Sequence, residues 1–245
     1  MNNEKKVAII TGASKGIGKA ISHKLASLNM DLMLASRNLS QLERVKDEIS
    51  NLGSGKVAIH ATDITKEEEI QNLVDMTINQ FGKIDILVNN AGVGKFKRID
   101  SFTLEDYNFM FEVNVKGLFL LTKYVVPHLI AKKSGSIINI SSIAGKNGFK
   151  NGTLYSASKH AVQGFTWSLR EDLKEYGIKV TAVCPGSVVT RFGGKEAEQV
   201  DWSLEPQDIA HAIGYLVTES ESVNTAEIII KPRYNPRTIN WKSRD

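Results

Sequence analysis

The stretch Val7-Ala8-Ile9-Ile10-Thr11-Gly12-Ala13-Ser14-Lys15-Gly16-Ile17-Gly18 decides the fold. Its first five residues are mostly apolar and β-branched, as in a buried strand, and a helical pattern opens at Ile17. Glycines between a strand and a helix allow a tight turn. They also let main-chain amides approach a pyrophosphate at the positive end of the helix. A glycine cluster alone is weak evidence, because turns collect glycine anyway. Its place between the first strand and the first helix is the context a dinucleotide cradle demands, and it nominates Gly12, Ser14, Lys15, Gly16, Ile17 and Gly18 as contacts.

Strand and helix alternate from there to the far end of the chain. Apolar runs at 6–11, 31–36, 56–61, 84–89, 136–141, 179–184 and 227–231 are the expected strands. Helical patterns lie near 17–29, 39–51, 66–81, 104–131, 153–176 and 206–218. Within 39–51, Leu42, Val45 and Ile49 recur at three- and four-residue steps with charges between them. Strands that are almost wholly apolar belong in a parallel sheet covered by helices on both faces. Unbroken alternation implies right-handed crossovers and one doubly wound α/β domain with a seven-stranded parallel sheet. The domain is expected to span 1–232. The 187–205 stretch lacks a clean period, contains Gly193 and Gly194, and reads as a loop.

The formal charge of +4 is informative through its distribution. Lys231, Arg233, Arg237, Lys242 and Arg244 stand against Asp245 alone, so the last fifteen residues hold the whole excess. A nucleic-acid binder carries its excess on a folded face, so residues 233–245 read instead as a solvated or subunit-contacting basic tail. Hydrophobic residues make up 42% and charged residues 24%, ordinary values that disfavour a disordered or membrane class. No apolar run is long enough for a signal peptide or a membrane span. The single cysteine, Cys184, has no internal partner and reads as a small buried strand residue. The expected location is the cytoplasm.

The second expected strand ends in Ala35-Ser36-Arg37-Asn38. A carboxylate at this place would accept hydrogen bonds from an adenosine ribose and repel a 2′-phosphate. None is present. Arg37, beside Ser36, can offer forked, charge-assisted hydrogen bonds to a phosphate, and Lys15 can approach from the glycine loop. Both cations would also suit a solvent-facing surface, but the missing carboxylate favours NADP(H).

Tyr155-Ser156-Ala157-Ser158-Lys159 opens the 153–176 helix, where positions i and i+4 share a face and can address one bound molecule. A free phenol titrates near about 10, and a nearby ammonium would favour the phenolate. Ser142 closes the 136–141 strand, where its hydroxyl can hold a carbonyl oxygen beside the tyrosine. Alone, the Tyr-Lys spacing would pass for a surface helix pair, and Asn114 for an ordinary helix residue.

In combination the motifs resemble those of the short-chain dehydrogenase/reductase family. Thr11 to Gly18, Asn89-Asn90-Ala91-Gly92, Ser142, and Tyr155 with Lys159 stand in the family's order, and the likeness covers about residues 5–231. The resemblance implies a Rossmann-type domain with Tyr155 as general acid/base and Ser142 as the orienting donor. Lys159 would be both ribose ligand and electrostatic partner of the tyrosine, and Asn114 the anchor of a water in a proton relay. Further cofactor contacts implied are Asp63 and Ile64 at the adenine, and Asn90, Ala91 and Gly92 at the ribose. Pro185, Gly186, Val188 and Thr190 would hold the carboxamide. The reaction implied is hydride transfer between nicotinamide and a carbonyl carbon. No metal is expected, since His23, His60, His128, His160 and His211 lack ligand spacing. A homotetramer or homodimer is implied through the 104–131 and 153–176 helices.

The chain departs from the family's 3-oxoacyl-acyl-carrier-protein reductases near its end. Their last strand follows a Thr-Gly turn and ends in Val-Asp-Gly-Gly, whereas here Asn224-Thr225-Ala226-Glu227-Ile228-Ile229-Ile230-Lys231-Pro232 stands in that place. The expectation is an NADPH-dependent reductase of small or medium carbonyl compounds. A carrier-protein reductase is the alternative, and a non-catalytic nucleotide-binding module a distant third. Gly94, Ile143, Phe149, Ser187 and Phe192 are expected near the substrate.

Overall fold

The computed structural model describes residues 4–190, 192 and 203–233. Seven parallel strands, β1 (Val7–Thr11), β2 (Asp31–Ser36), β3 (Val57–Ala61), β4 (Ile86–Asn89), β5 (Gly135–Ile140), β6 (Ile178–Pro185) and β7 (Glu227–Ile230), form one sheet in the order β3-β2-β1-β4-β5-β6-β7. Each expected strand is present within two residues of its predicted bounds. The helices are α1 (Gly16–Ser27), α2 (Leu39–Ile49), α3 (Glu67–Phe81), α4 (Leu104–Phe111), α5 (Leu118–Lys132), α6 (Thr153–Leu173) and α7 (Pro206–Thr218).

Alternation along the strands sorts the core into two layers. Ala8, Ile10, Leu32 and Leu34 meet Ile21 and Leu25 of α1, Leu42, Val45 and Ile49 of α2, and Ile209 and Ile213 of α7. Their neighbours Ile9, Met33 and Ala35 turn the other way, against Ile70 and Leu73 of α3 and Leu121 and Val125 of α5. Burying both faces explains why the strands carry no polar alternation. The buried residues of α2 are Leu42, Val45 and Ile49, the three marked by its period, and the Asn38 side chain caps the helix by accepting from the Gln41 amide.

A polar seam crosses this apolar interior. Asn89 of β4 donates to Asn139 of β5 at 2.9 Å and to Thr122 of α5 at 3.1 Å, while Asn139 donates to Thr166 of α6 at 2.9 Å. The two asparagines are register partners in the sheet.

The expected continuous helix over 104–131 is corrected. α4 and α5 are separated by a π-helical turn at Glu112–Gly117. Gly117 closes it against the Ile64 carbonyl, which would lie 2.6 Å from any Cβ placed there. The wide turn also swings Asn114 inward, where it is buried. The expected 153–176 helix ends as α6 at Leu173 and finishes in a tight 3-10 turn at Lys174–Tyr176. Most of the expected 187–205 loop and of the tail lies outside the described residues. Among the described residues no helix is long and apolar enough to cross a membrane.

Candidate active site

Strand order reverses direction between β1 and β4, so the loops leaving their carboxyl ends diverge and open a crevice. Thr11 and Asn90 build its floor. The Thr11 hydroxyl accepts from the Asn90 and Ala91 amides, both at 3.0 Å, and the Asn90 side-chain amide donates to the Thr11 carbonyl at 2.8 Å. Above this floor Gly12 takes φ +64°, which side chains rarely adopt. Gly18 sits beneath, where a Cβ would lie 2.2 Å from the Gly12 carbonyl, so its role is the close approach of α1 to the strand end.

The resulting cleft has a volume of about 2670 Å³, ample for a dinucleotide together with a substrate. At one end it is lined by Ser14, Lys15, Gly16 and Ile17, by Ser36 and Arg37, and by Asp63 and Ile64. Asn90, Ala91 and Gly92 line it where Gly92 approaches the Lys159 Nζ, and Pro185, Gly186, Val188 and Thr190 line it too. The Thr190 methyl group approaches Gly16, which brings the two walls together over the glycine loop. Of the predicted cofactor residues only Gly18 lies off the surface of the cleft. Burial raises the Asp63 carboxyl, but hydrogen bonds from Thr65 and the charges of Arg37 and Lys66 outweigh it and hold the group below its ordinary value.

Tyr155, Lys159 and Ser142 meet at the other end. Tyr155 is half-buried, and burial pushes its phenol up to about 12 against the smaller, lowering influence of the Ser142 hydroxyl. Lys159 is buried on the same face of α6, which lowers its ammonium to about 8. Its Nζ donates to the Ile140 carbonyl at 2.8 Å and lies beside Gly92. The hydroxyl of Ser142 accepts from the Ala144 amide at 3.1 Å, which fixes the turn after β5.

Asn114 does not line the cleft. Its side chain exchanges two hydrogen bonds with the main chain of Val93, at 2.8 and 2.9 Å, and donates to Ser158 at 3.0 Å. Both N–H donors are thereby used, and one lone pair of Oδ1 remains. The asparagine ties the 93 loop to α6 one residue before Lys159.

A second tie lies behind the site. Glu227, at the start of β7, accepts from Lys146 at 2.7 and 2.8 Å, from Gln163 at 2.5 Å and from the Cys184 thiol at 3.5 Å. Lys146 follows the turn opened by Ser142, Gln163 stands four residues after Lys159, and Cys184 precedes Pro185. One carboxylate therefore joins the three segments that meet at Tyr155. Burial, with Glu227 alongside, pushes the Cys184 thiol up to about 12, so it is an inert packing group.

Gly94, Ile143, Phe149, Ser187 and Phe192 all line the cleft, as the sequence suggests. Among the lining residues that escaped the sequence reading, Arg44 and Phe96 bear most on the chemistry. Arg44 faces the Arg37 end from α2, where its spacing with Gln41 and Glu48 marks a common helix stripe. Phe96 lies 5.4 Å from the Tyr155 ring, centre to centre, and only tertiary structure brings it there. Among the described residues no three histidine, cysteine or acidic side chains are grouped as metal ligands.

Comparison with known proteins adds independent weight. The family model of the short chain dehydrogenases matches residues 6–201. An uncharacterized oxidoreductase of Staphylococcus aureus is 37% identical over 227 residues, covering 93% of this chain and 97% of that protein. The alcohol dehydrogenase of the archaeon Thermococcus sibiricus, solved with 5-hydroxy-NADP, superposes with a TM-score of 0.90 at 29% identity over 95% of this chain and 98% of its own. A metagenomic short-chain oxidoreductase in complex with NADP gives 0.83 at 35% identity, over 94% and 98%. A parallel sheet of this order, a dinucleotide-sized cleft at its switch point and relatives along almost the whole length lead to one conclusion: the chain is an oxidoreductase of the short-chain dehydrogenase family.

Proposed function

We propose that the protein reduces small or medium carbonyl compounds with NADPH, using Tyr155 to deliver the proton. The observation that carries this reading is that Tyr155, Ser142 and the buried Lys159 line the same cleft as Arg37, Arg44 and Lys15. The nicotinamide cofactor supplies the hydride when bound. Ser142 holds the carbonyl oxygen beside the phenol. Tyr155, kept protonated by burial, gives its proton to that oxygen. Lys159 then stabilises the phenolate, and its ammonium beside Gly92 would hold the ribose hydroxyls. Asn114 leaves one Oδ1 lone pair and the main chain of the π turn to anchor a water. The cleft residues Gly12, Ser14 to Ile17, Ser36, Asp63, Ile64, Asn90 to Gly92, Pro185, Gly186, Val188 and Thr190 would hold the cofactor. Arg37, Arg44 and Lys15 favour a 2′-phosphate, and the NADP-type ligands of the two solved neighbours support that preference. A catalytic domain over 1–232 with a basic tail at 233–245, a cytoplasmic location and a homotetramer or homodimer belong to the same reading.

The test is NADPH consumption over a panel of aldehydes, ketones, diketones and a carrier-bound 3-oxoacyl thioester, compared by kcat/KM. Tyr155→Phe should fold, bind NADPH and lose about 10²–10⁴-fold in rate. Near-normal turnover by this variant would remove Tyr155 from its role. A clear preference for the thioester over every free carbonyl would replace the proposed substrate class.

A further inference from the structure

Three phenylalanines surround the Tyr155 ring. Phe96, Phe192 and Phe149 lie 5.4, 5.6 and 6.4 Å from it between ring centres, at interplanar angles of 76°, 62° and 74°. Phe96 is also 5.8 Å from Phe149 and 6.5 Å from Phe192. None of the three belongs to either core layer. They remain 42%, 48% and 37% exposed at Phe96, Phe149 and Phe192, an apolar patch at the mouth of a polar site.

The arrangement is built into the backbone. The Lys97 amide donates to the Asn151 carbonyl at 3.0 Å and so fastens the Phe96 segment to the Phe149 loop. A Cβ on Gly152 would lie 2.4 Å from the Phe149 ring, and one on Gly94 would lie 2.6 Å from Phe192. Both rings therefore occupy space that only glycine leaves free. The cation on this wall, Lys95, is bound to the buried Asp106 at 2.5 Å and lies over the Phe109 ring. Lys97 shares the same carboxylate at 2.6 Å, so both ammonium groups are engaged there rather than at the phenylalanines.

We infer that Phe96, Phe149 and Phe192 form an aromatic subsite that takes the flat, uncharged flank of the substrate, and that the preferred carbonyl compounds are aryl ketones and aromatic aldehydes. This rests on the carbonyl-reductase reading above and names its substrate class. Edge-to-face rings around Tyr155 offer an aryl group the tilted contacts it prefers, while its carbonyl oxygen points at the phenol and Ser142. A flexible alkyl chain gains less from the same walls and loses more rotational freedom on entering.

The experiment compares acetophenone with 2-octanone, which has the same carbon count, in the presence of NADPH. Wild type should favour acetophenone by about tenfold or more in kcat/KM. Phe149→Ala and Phe96→Ala should bring that ratio towards one, mainly through KM. Gly94→Ala, which displaces Phe192, should lower it with NADPH affinity retained. A separate arm measures acetophenone binding by calorimetry, with and without NADP⁺, and needs no turnover. Here Phe149→Ala should weaken binding about fivefold or more. A ratio near one in wild type, or a preference untouched by the phenylalanine variants, overturns the subsite. If no carbonyl on any panel is reduced, the reductase reading fails and the binding arm decides. Binding weakened by Phe149→Ala upholds the subsite, and absent or unaltered binding removes it.

Discussion

Replacing Glu227 by glutamine keeps its shape, removes its charge and strikes three segments of the site at once. Its carboxylate holds Lys146 at the end of the Ser142 turn, Gln163 on α6 and the Cys184 thiol on β6. The Lys146 and Glu227 side chains are 29% and 24% exposed, between a surface pair of little worth and a fully desolvated one. A hydrogen bond to a charged group contributes about 1.5–3 kcal/mol. Glutamine retains one acceptor for Lys146 or Gln163, and solvent screens the lysine partly, so the expected loss is about 2 kcal/mol. For a chain of this size that corresponds to a fall of about 4–8 °C in Tm at neutral pH. Burial raises the Glu227 carboxyl, but Lys146, Gln163 and Cys184 outweigh it and hold the group below its ordinary 4.5. Its contribution is therefore complete above that value and disappears as pH falls through the lower folded one, where wild type and variant should converge. Thermal unfolding at pH 7 and urea midpoints taken stepwise down through and below pH 4 measure both effects. A variant with wild-type Tm and urea midpoint at pH 7 would show that the three ties carry no net energy, and would refute the reasoning.

Two further outcomes follow from the ends of the cleft. Arg37→Asp should weaken NADPH binding about tenfold or more and shift preference towards NADH, as read by NADPH fluorescence titration. Equal use of both cofactors by wild type would contradict the role given to Arg37. Subtracting the 295 nm pH titration of Tyr155→Phe from that of wild type should isolate a phenol that ionises near 12 without cofactor. Adding NADP⁺, with its positive ring, should move that ionisation downward, and a component at the ordinary value of 10 in the cofactor-free protein would count against the burial argument.

Where local chemistry settles the structure, the sequence was legible. Val7–Thr11 is apolar and β-branched because both of its faces are covered, and Leu42, Val45 and Ile49 mark the buried stripe of α2 outright. Ser36, Arg37, Tyr155 and Lys159 were legible because each sits at a strand end or on a helix face that periodicity can locate. The π turn at Glu112–Gly117 was not. Its apolar spacing imitates a continuous helix, and its causes are tertiary: the Asn114 bonds to Val93 and Ser158, and the fit of Gly117 against Ile64. Phe96 and Glu227 were missed for a related reason. Each is distant in sequence from the residues it touches, and neither has a pattern of its own.

The Asn89–Asn139 pair bears on how the chain reaches its fold. Parallel strands are paired late, across long connections, and apolar strands such as Ile86–Asn89 and Gly135–Ile140 offer several staggers of similar hydrophobic gain. A one-residue slip between β4 and β5 would break the Asn89–Asn139 bond and leave one buried amide donor and one buried amide acceptor unpaired, each costing about 1–3 kcal/mol. The seam thus acts as a proofreading key: it adds little to the depth of the native state and much to the height of its nearest competitors.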